Sequence, residues 1–232
     1  MRNAVIIIIL LLPVLNVSGQ KKGYTVKAGD EISVSLPDSL KYIYPQFVLG
    51  TVHLRNGNFA NALLNYNLLE GEMQFIDPKG DTLAIDNEAT IRTVSINKDS
   101  FYYDKGYLQL VSYYPAIKLA KRESIDVTDE LKMGGYGQTS STSAITSISS
   151  IYRGTEVAKL NSRGELLLLK HTRYFIGDKF NNFIPATKKN IIKSFKVKDA
   201  IAEDFLKENK IQFNKEEDLE KLITFLQSQS GK

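Results

Sequence analysis

Residues 48–68 read VLGTVHLRNGNFANALLNYNL and give the clearest indication of the fold class. Apolar and polar residues alternate on both sides of Asn56-Gly57, which is the pattern of two half-buried strands. Asn and Gly both tolerate a positive φ, so this dipeptide favours a tight type I′ turn between the strands. The stretch therefore predicts an antiparallel hairpin, with one strand over residues 48–55 and its partner over residues 62–68.

The alternating pattern extends outward from this hairpin, to residue 27 on one side and to residue 114 on the other. Turn residues interrupt it repeatedly, as at Glu70-Gly71 and over residues 77–80. The other strands predicted in this part of the chain cover residues 32–36, 73–75, 83–85, 91–96, 101–103 and 107–114. Short strands joined by short turns predict a mainly β fold, an antiparallel meander forming a sandwich or barrel.

The pattern changes towards the C-terminus. A longer strand and a second hairpin are predicted first, over residues 116–127, 155–160 and 165–176. Three amphipathic segments follow and predict short helices over residues 188–195, 199–209 and 214–226, with Thr187 and Asn214 as N-terminal caps. Helices of this length are not stable alone in water, so their apolar faces should pack on the β part. We therefore expect an α+β protein overall, with a β-rich domain over residues 20–185 and a small helical C-terminal cap over residues 186–232.

Residues 1–19 are expected to be a secretory signal peptide. Arg2 supplies a positive charge, residues 4–15 form an uncharged apolar run, and small residues follow up to Gly19. As a helix this run is about 18 Å long, well short of the ~30 Å hydrocarbon core of a bilayer. A buried strand or a membrane anchor are the alternative readings. Cleavage before Gln20 leaves no second apolar stretch of ~20 residues, so the mature chain is not expected to be transmembrane.

Composition narrows the compartment and the partners. The chain has no cysteine, which excludes a disulfide framework, a zinc–thiolate site and a lipidated cysteine. Residues 20–232 also lack a glycosylation sequon, and together these features favour a bacterial periplasm or cell exterior. The net charge of +4, from 30 basic and 26 acidic residues, gives no reason to expect a nucleic-acid partner.

Two stretches carry a resemblance to other proteins. Residues 50–85, GTVHLRNGNFANALLNYNLLEGEMQFIDPKGDTLAI, and residues 188–226, KKNIIKSFKVKDAIAEDFLKENKIQFNKEEDLEKLITFL, together make up about a third of the chain. They resemble segments of uncharacterised exported β-rich proteins of bacteroidete type. The resemblance implies a compartment and a lineage, and it supplies no activity and no site residue.

Residues 134–150, GGYGQTSSTSAITSISS, are the most unusual segment by composition. A phosphate-binding loop of the Walker type needs a Lys directly after its last Gly, whereas Gly137 is followed by Gln138. The dinucleotide fingerprint G-x-G-x-x-G and the nucleophile elbow G-x-S-x-G are also absent. The segment is therefore interpreted as a flexible surface loop within the β-rich domain.

No motif predicts a catalytic, cofactor or metal site. His53 and His171 each lie in a predicted strand without a neighbouring ligand pattern, although a hydrolase could still recruit either of them in three dimensions. Residues 77–81, DPKGD, are interpreted as a turn, because Lys79 occupies a position where a calcium loop needs an oxygen ligand. Carboxylate pairs for glycoside hydrolysis are defined by distance in space and leave no sequence spacing.

The aromatic residues are the best candidates for a ligand or partner contact. The chain has 12 Tyr and 11 Phe, and several tyrosines cluster along predicted strands. Flat rings offer a large contact area to a glycan or an extended peptide. The alternative is cross-strand packing within the sheet. The tyrosines predicted to make such a contact are Tyr42, Tyr44, Tyr102, Tyr103, Tyr113 and Tyr114.

Five lysines surround the apolar residues of the first predicted C-terminal helix: Lys188, Lys189, Lys193, Lys196 and Lys198. This pattern is typical of a solvated helix face, and it also permits peripheral contact with an anionic membrane.

The sequence thus favours an exported, non-enzymatic protein of the bacterial cell envelope, with a binding or structural role and another envelope protein, a glycan or a peptide as its partner. The alternative is an envelope hydrolase whose site is assembled only in three dimensions.

Overall fold

The computed structural model describes residues 23–27, 30, 32–115, 117–133, 139–142, 165–195 and 197–229, and for residues 127–133, 139–142 and 165 it describes the backbone alone. The predicted signal peptide and the predicted strand over residues 155–160 lie outside the described residues.

The described strands pair antiparallel in a single sheet. They are β1 (Tyr24–Val26), β2 (Val48–Leu54), β3 (Phe59–Asn67), β4 (Glu72–Ile76), β5 (Thr82–Ala84), β6 (Ile91–Ile96), β7 (Asp99–Tyr103), β8 (Tyr107–Tyr113), β9 (Lys118–Met133), β10 (Thr139–Thr142), β11 (Glu165–Gly177) and β12 (Phe183–Pro185). The helices are α1 (Ile32–Ser35), α2 (Asp38–Lys41), α3 (Lys188–Phe195), α4 (Asp199–Asn209) and α5 (Glu216–Gln229), and residues Glu88–Thr90 form one 3-10 turn.

The strand order is β1-β11-β9-β8-β7-β6-β2-β3-β4-β5, with β10 paired to β9 and β12 paired to β11. Two meanders, β2 to β5 and β6 to β9, therefore join where β6 returns to pair with β2. The sheet is open, and β1 and β5 are its two edges along this order. The prediction of a mainly β antiparallel meander with a helical cap is confirmed.

The open sheet coils so that its two ends share one core. Val26 of β1 and Leu168 of β11 belong to the same buried cluster as Leu64 of β3 and Met73 of β4. A backbone hydrogen bond of 3.0 Å, from the N–H of Ile125 in β9 to the carbonyl of Leu68 after β3, also joins the two ends. Coiling lets the alternating apolar residues of distant strands bury one another, since one face of a flat sheet would remain in water.

The three C-terminal helices pack on the β8, β9 and β11 part of the sheet and make a second core. Ile191, Leu222 and Leu226 are buried there together with Leu119 of β9 and Ile176 of β11. The apolar side of α3 is therefore covered by its own protein, so its lysines form a solvated face. Among the described residues, no helix is both long enough and apolar enough to span a membrane.

Helix boundaries in the cap follow the sequence closely. Helices α3 and α4 have the predicted limits, and the Thr187 hydroxyl accepts a hydrogen bond of 3.3 Å from the N–H of Asn190, as an N-terminal cap does. Helix α5 begins at Glu216 rather than at Asn214. Phe205 and Phe225 are half-buried and stack on each other with ring centroids 3.9 Å apart, rather than inserting into the sheet.

The predicted strand over residues 32–36 is wrong, because residues 32–35 form helix α1. Ile32 and Leu36 are buried while Val34 between them is 78% exposed. Residues four apart share one face of a helix, and residues two apart share one face of a strand. The alternation at this site satisfies both patterns, so it did not discriminate between them.

The predicted turn type at Asn56-Gly57 is also wrong. Only Gly57 has a positive φ, of 92°, whereas a type I′ turn requires it at both positions. The N–H of Gly57 and the N–H of Leu54 bond to the carbonyls of Leu54 and Asn58 at 3.2 and 2.8 Å. This arrangement is a type I turn closed by a glycine bulge, which connects the same two strands.

Part of the predicted surface loop at residues 134–150 is ordered backbone. Residues 139–142 form β10 and pair with residues 130–133 of β9. The remainder of that segment lies outside the described residues.

Candidate ligand-binding cleft

A cleft of about 530 Å³ opens at one end of the coiled sheet, where the β3–β4 turn and the β5–β6 connection face β9 and β11. Its lining combines two opposed groups of charges with aromatic rings. The charged and aromatic residues of the lining are Glu70, Glu72, Asp86, Glu88, Arg122, Arg173, Tyr66, Tyr103 and Phe175. A concave site of this volume with convergent polar groups is the usual form of a small-molecule site.

The carboxylates come from two connections between strands. Glu70 in the β3–β4 turn and Glu72 at the start of β4 flank Gly71, which has φ of 74°, a conformation that suits glycine. Asn67 shapes this turn, because its side-chain oxygen accepts hydrogen bonds of 3.0 and 3.1 Å from the N–H groups of Leu69 and Glu70. Asp86 and Glu88 enter from the connection that leads into β6.

Two of these carboxyl groups are held where ionisation is unfavourable. Burial raises the pKa of Glu70, although a hydrogen bond of 2.6 Å from the Gln74 amide and the charge of Lys41 act in the opposite direction. Burial also raises the pKa of Glu72, and the neighbouring charges of Glu70 and Glu88 raise it further. The acidic wall thus contains negative charges that destabilise one another.

Arg122 forms part of the opposite wall, and its guanidinium group is held by the backbone. It donates hydrogen bonds to the carbonyls of Asp104, Gly106 and Tyr107 at 3.1 to 3.2 Å. Its guanidinium carbon also lies 5.1 Å from the centre of the Phe175 ring. These contacts fix the group beside the β7–β8 turn.

Arg173 is held by a buried carboxylate. It bonds to Asp126 at 2.6 Å and to the Ser124 hydroxyl at 3.2 Å. The Asp126 side chain is 4% exposed, whereas that of Arg173 is 45% exposed. The pair therefore places a neutralised guanidinium group at the edge of the cleft.

Tyr107 lies beneath the cleft with an unsatisfied hydroxyl group. Its side chain is 1% exposed, and among the described residues its oxygen has no hydrogen-bond partner. Its ring packs edge-on against Tyr103 and Tyr66, with centroids 5.2 and 5.9 Å away. Burial raises the pKa of Tyr107, and Glu88, Tyr103, Tyr66 and Glu72 raise it further. All four of these residues line the cleft, whereas Tyr107 itself does not.

The six predicted contact tyrosines do not form one surface. Tyr103 lines the cleft, whereas Tyr114 packs against the helical core. Tyr42 and Tyr44 use their hydroxyl groups within the protein, donating to Gln74 at 2.8 Å and to Asp99 at 2.6 Å. Tyr102 and Tyr113 both lie near the amine of the buried Lys118, whose nitrogen is 5.5 Å from the ring centre of Tyr102 and 5.9 Å from that of Tyr113.

The histidines and the acidic turn have roles outside the cleft. His53 lies beside Phe59, with ring centroids 6.5 Å apart, and His171 pairs with Ser124 across β11 and β9. Neither histidine lines the cleft. The Asp77 carboxylate accepts hydrogen bonds from the N–H groups of Lys79 and Asp81 at 2.8 and 2.9 Å, which is a turn. Among the described residues, no group of three or more metal-ligating side chains converges.

The sequence did not reveal the carboxylates and arginines of the cleft. Glu70 sits in a predicted turn and Glu72 follows it directly, where acidic residues are common, and Arg122 sits in a predicted strand with charges on one face. Only the coiling of the sheet brings β4 opposite β9. No local spacing encodes that approach.

Comparisons with known proteins give no functional parallel for this arrangement. No family model matches the chain, and no characterised protein or solved structure matches it significantly. The function is therefore argued from the cleft itself, since a fold alone does not specify an activity. Chemically, the cleft offers buried negative charge, aromatic faces and fixed guanidinium groups.

Proposed function

We propose that this chain is an exported binding protein of the bacterial cell envelope that holds a small ligand group in the cleft. The observation that carries the proposal is the pair of half-buried carboxyl groups, Glu70 and Glu72, whose pKa values are raised at the mouth of a concave site. Carboxyl groups in a cleft whose pKa values are shifted by burial and by neighbouring charges are candidates for functional sites.

An energetic argument supports binding at this place. Burying like charges near one another opposes folding, and such arrangements are characteristic of sites where stability is exchanged for function. Glu72 has no hydrogen-bond donor among the described residues, so its negative charge is available to a ligand. A bound group of positive charge would relieve the repulsion between Glu72 and its acidic neighbours.

Binding is favoured over nucleophilic catalysis because of the positions of the two histidines. A serine hydrolase needs a histidine within hydrogen-bond reach of its nucleophile. His53 and His171 are not among the residues that line the cleft, and the hydroxyl group of Ser124, which pairs with His171 across the strands, bonds to Asp126 and Arg173 instead. The envelope location rests on the expected signal peptide at residues 1–19 and on the lack of cysteine.

The test blocks the cleft and asks whether an envelope ligand is lost. Ala84 lines the cleft and Thr82 does not, and both are exposed residues of the edge strand β5. Ala84→Trp and Thr82→Trp are therefore a matched pair. After incubation with an envelope extract, native mass spectrometry should show a bound species on the wild type and on Thr82→Trp, and little of it on Ala84→Trp.

Equal occupancy of both variants would show that the cleft is not the binding site. Location is tested separately by fractionating the native host, where the protein should appear in the periplasmic or extracellular fraction.

A second function, acid–base hydrolysis of a glycan, is favoured by one observation: Glu70 and Glu72 are two carboxyl groups close together in a cleft. Glycoside hydrolysis needs one carboxyl group protonated and its partner ionised. The environment raises the pKa of both groups, which provides no such division of roles. Release of reducing sugar from envelope glycans, abolished in both Glu70→Gln and Glu72→Gln, would favour hydrolysis over binding alone.

A further inference from the structure

Strand β5 is an edge of the sheet, and its backbone presents hydrogen-bonding groups on the open side. Two backbone hydrogen bonds of 2.9 Å, each from an N–H to a carbonyl, bracket the β4–β5 pair: Ile85 to Met73, and Asp77 to Asp81. Hydrogen-bonded and non-hydrogen-bonded pairs alternate along an antiparallel ladder. The N–H and C=O groups of Thr82 and Ala84 therefore point away from β4, and no described strand lies beyond them.

A row of apolar side chains crosses the sheet and ends at this edge. Leu64, Phe75 and Leu83 lie opposite one another on the neighbouring strands β3, β4 and β5. Leu64 is fully buried and Phe75 is half-buried, whereas Leu83 is 45% exposed. Burial thus decreases towards the edge, because no described strand lies next to Leu83 on its open side. One more strand would continue the row and cover Leu83, as cross-strand neighbours do.

The residues of this edge lack the side chains that discourage strand addition. Natural proteins often protect an edge strand with charged residues or proline. Thr82, Leu83 and Ala84 are all exposed, and none of them is charged or a proline. Negative charge lies at the two ends of the strand instead, on the exposed Asp81 and Asp86. A segment that pairs with β5 is therefore favoured by a basic residue just beyond its paired positions.

We propose that β5 is a docking edge for an extended segment of a partner protein, which adds to the sheet as a further strand. A peptide backbone in the extended conformation offers N–H and C=O groups at the spacing that Thr82 and Ala84 require. The segment carries an apolar residue opposite Leu83 and a basic residue near Asp81. This surface borders the cleft at Ala84, and strand addition does not depend on a small ligand in the cleft.

Hydrogen exchange of the purified protein without any peptide tests the open edge first. By the alternation of the ladder, the N–H of Leu83 bonds to Phe75, whereas those of Thr82 and Ala84 are directed outward. After correction for intrinsic rates, we expect the Leu83 amide to exchange at least about tenfold more slowly than the other two. Equal protection of the three amides would overturn the proposal, because the edge would then be either already covered or not formed.

The probe for binding is the peptide N-acetyl-Lys-Thr-Val-Thr-Lys amide, which places its valine opposite Leu83 and a lysine near Asp81. Its sequence is the same in both directions, so it suits parallel and antiparallel pairing with β5. A control peptide has the same side chains and carries N-methyl groups on its three central residues. It cannot donate the backbone hydrogen bonds of a ladder.

Two variants isolate one backbone group of the edge. Ala84→Pro removes an outward N–H and leaves the bonds to β4 in place, since proline is tolerated in an edge strand where its nitrogen faces solvent. Ala84→Val keeps the N–H and has a side chain of similar size. In titrations followed by the amide resonances of β5, Ala84→Pro should bind the probe about fivefold more weakly than Ala84→Val, as for one lost hydrogen bond.

The wild type should bind the probe saturably and should not bind the N-methylated peptide. Equal binding of the two peptides, equal affinity of Ala84→Pro and Ala84→Val, or no saturable binding at millimolar concentration overturns the proposal. Shifts of the β5 amides with protein concentration alone, lost in Ala84→Pro, would also overturn it, because the occupant would then be a second copy of this chain.

The proposed function of the cleft has a separate readout. Capture of an envelope ligand is compared between Thr82→Trp and Ala84→Trp, without the peptide. Failure of the peptide to bind leaves that result unchanged, and equal capture by the two tryptophan variants leaves the peptide result unchanged.

Discussion

Deleting one oxygen atom, in Tyr107→Phe, should make the protein more stable. The Tyr107 side chain is 1% exposed, and its hydroxyl group has no hydrogen-bond partner among the described residues. Phenylalanine keeps the ring and its edge-on contacts with Tyr66 and Tyr103. The substitution therefore removes a desolvated polar group without opening a cavity of any size.

The expected size follows from the cost of an unsatisfied buried group. Such a group opposes folding by about 1–3 kcal/mol, so removing it should increase the free energy of unfolding by up to that amount. For a domain of this length each kcal/mol corresponds to a shift in Tm of about 2–4 °C. We expect an increase in Tm of at least about 2 °C.

A matched control removes the same atom from a satisfied tyrosine. The Tyr44 hydroxyl group donates a hydrogen bond of 2.6 Å to the Asp99 carboxylate. Hydrogen bonds to charged groups contribute about 1.5–3 kcal/mol, so Tyr44→Phe should lower the free energy of unfolding. The two variants thus have opposite expected signs for the same chemical change.

Urea denaturation followed by circular dichroism measures both variants under the same conditions. Similar slopes with urea concentration are required for the comparison, since a changed slope indicates a changed unfolded or folded state. If Tyr107→Phe destabilised the protein as much as Tyr44→Phe, the Tyr107 hydroxyl group would have a strong partner. The reasoning about an unsatisfied group beneath the cleft would then be wrong.

Further predictions concern the cleft, the cap and export. Burial raises the pKa of Glu72 in the folded state, so the contribution of its protonated form to stability is fully present below the unfolded-state pKa and is lost as pH rises through the folded-state pKa. Glu72→Gln should therefore be more stable than the wild type at pH 7, and the difference in Tm should disappear towards pH 4. Leu222 of α5 is fully buried in the core that the helices share with the sheet, so Leu222→Ala should lower the free energy of unfolding of the whole protein by about 2–5 kcal/mol, in one shifted thermal transition. Substitution of an exposed residue, Lys188→Ala, should change it by less than about 1 kcal/mol. An unchanged transition of the β part in Leu222→Ala would show that the cap unfolds independently. Intact mass of the exported protein should correspond to a chain that begins at Gln20, and retention of Met1 would contradict the expected signal peptide.

Several elements were predictable because their signals are local. Strand β6 and helices α3 and α4 have the limits that periodicity and capping indicated. The hairpin around Asn56-Gly57 was also correct in its strands, although its turn type was not. The error at residues 32–36 also has a local cause. Apolar residues at positions 32, 34 and 36 fit one face of a strand, and the residues at positions 32 and 36 alone fit one face of a helix.

The candidate site was not predictable in this way. The six tyrosines were predicted to make a contact because tyrosines are numerous and clustered in the sequence. The structure places Tyr103 in the cleft, Tyr102 and Tyr113 near Lys118, and Tyr114 against the helical core. Tyr42 and Tyr44 bond to other side chains of the protein. Whether a tyrosine faces solvent or a neighbour depends on which strand lies opposite it. That depends on the order of the sheet, which neighbouring residues do not specify.

The mainly β architecture, the hairpin that starts the meander and the helical cap could all be predicted from local patterns, because hydrophobic periodicity and turn residues act over a few positions along the chain. The place of the cleft and the charges that it contains depend instead on how distant strands come together. Glu72 and Arg122 both line the cleft because β6 pairs with β2 and the coiled sheet brings β9 towards the β3–β4 turn. Burial and the nearness of like charges, which set the pKa values of Glu70 and Glu72, exist only after that coiling.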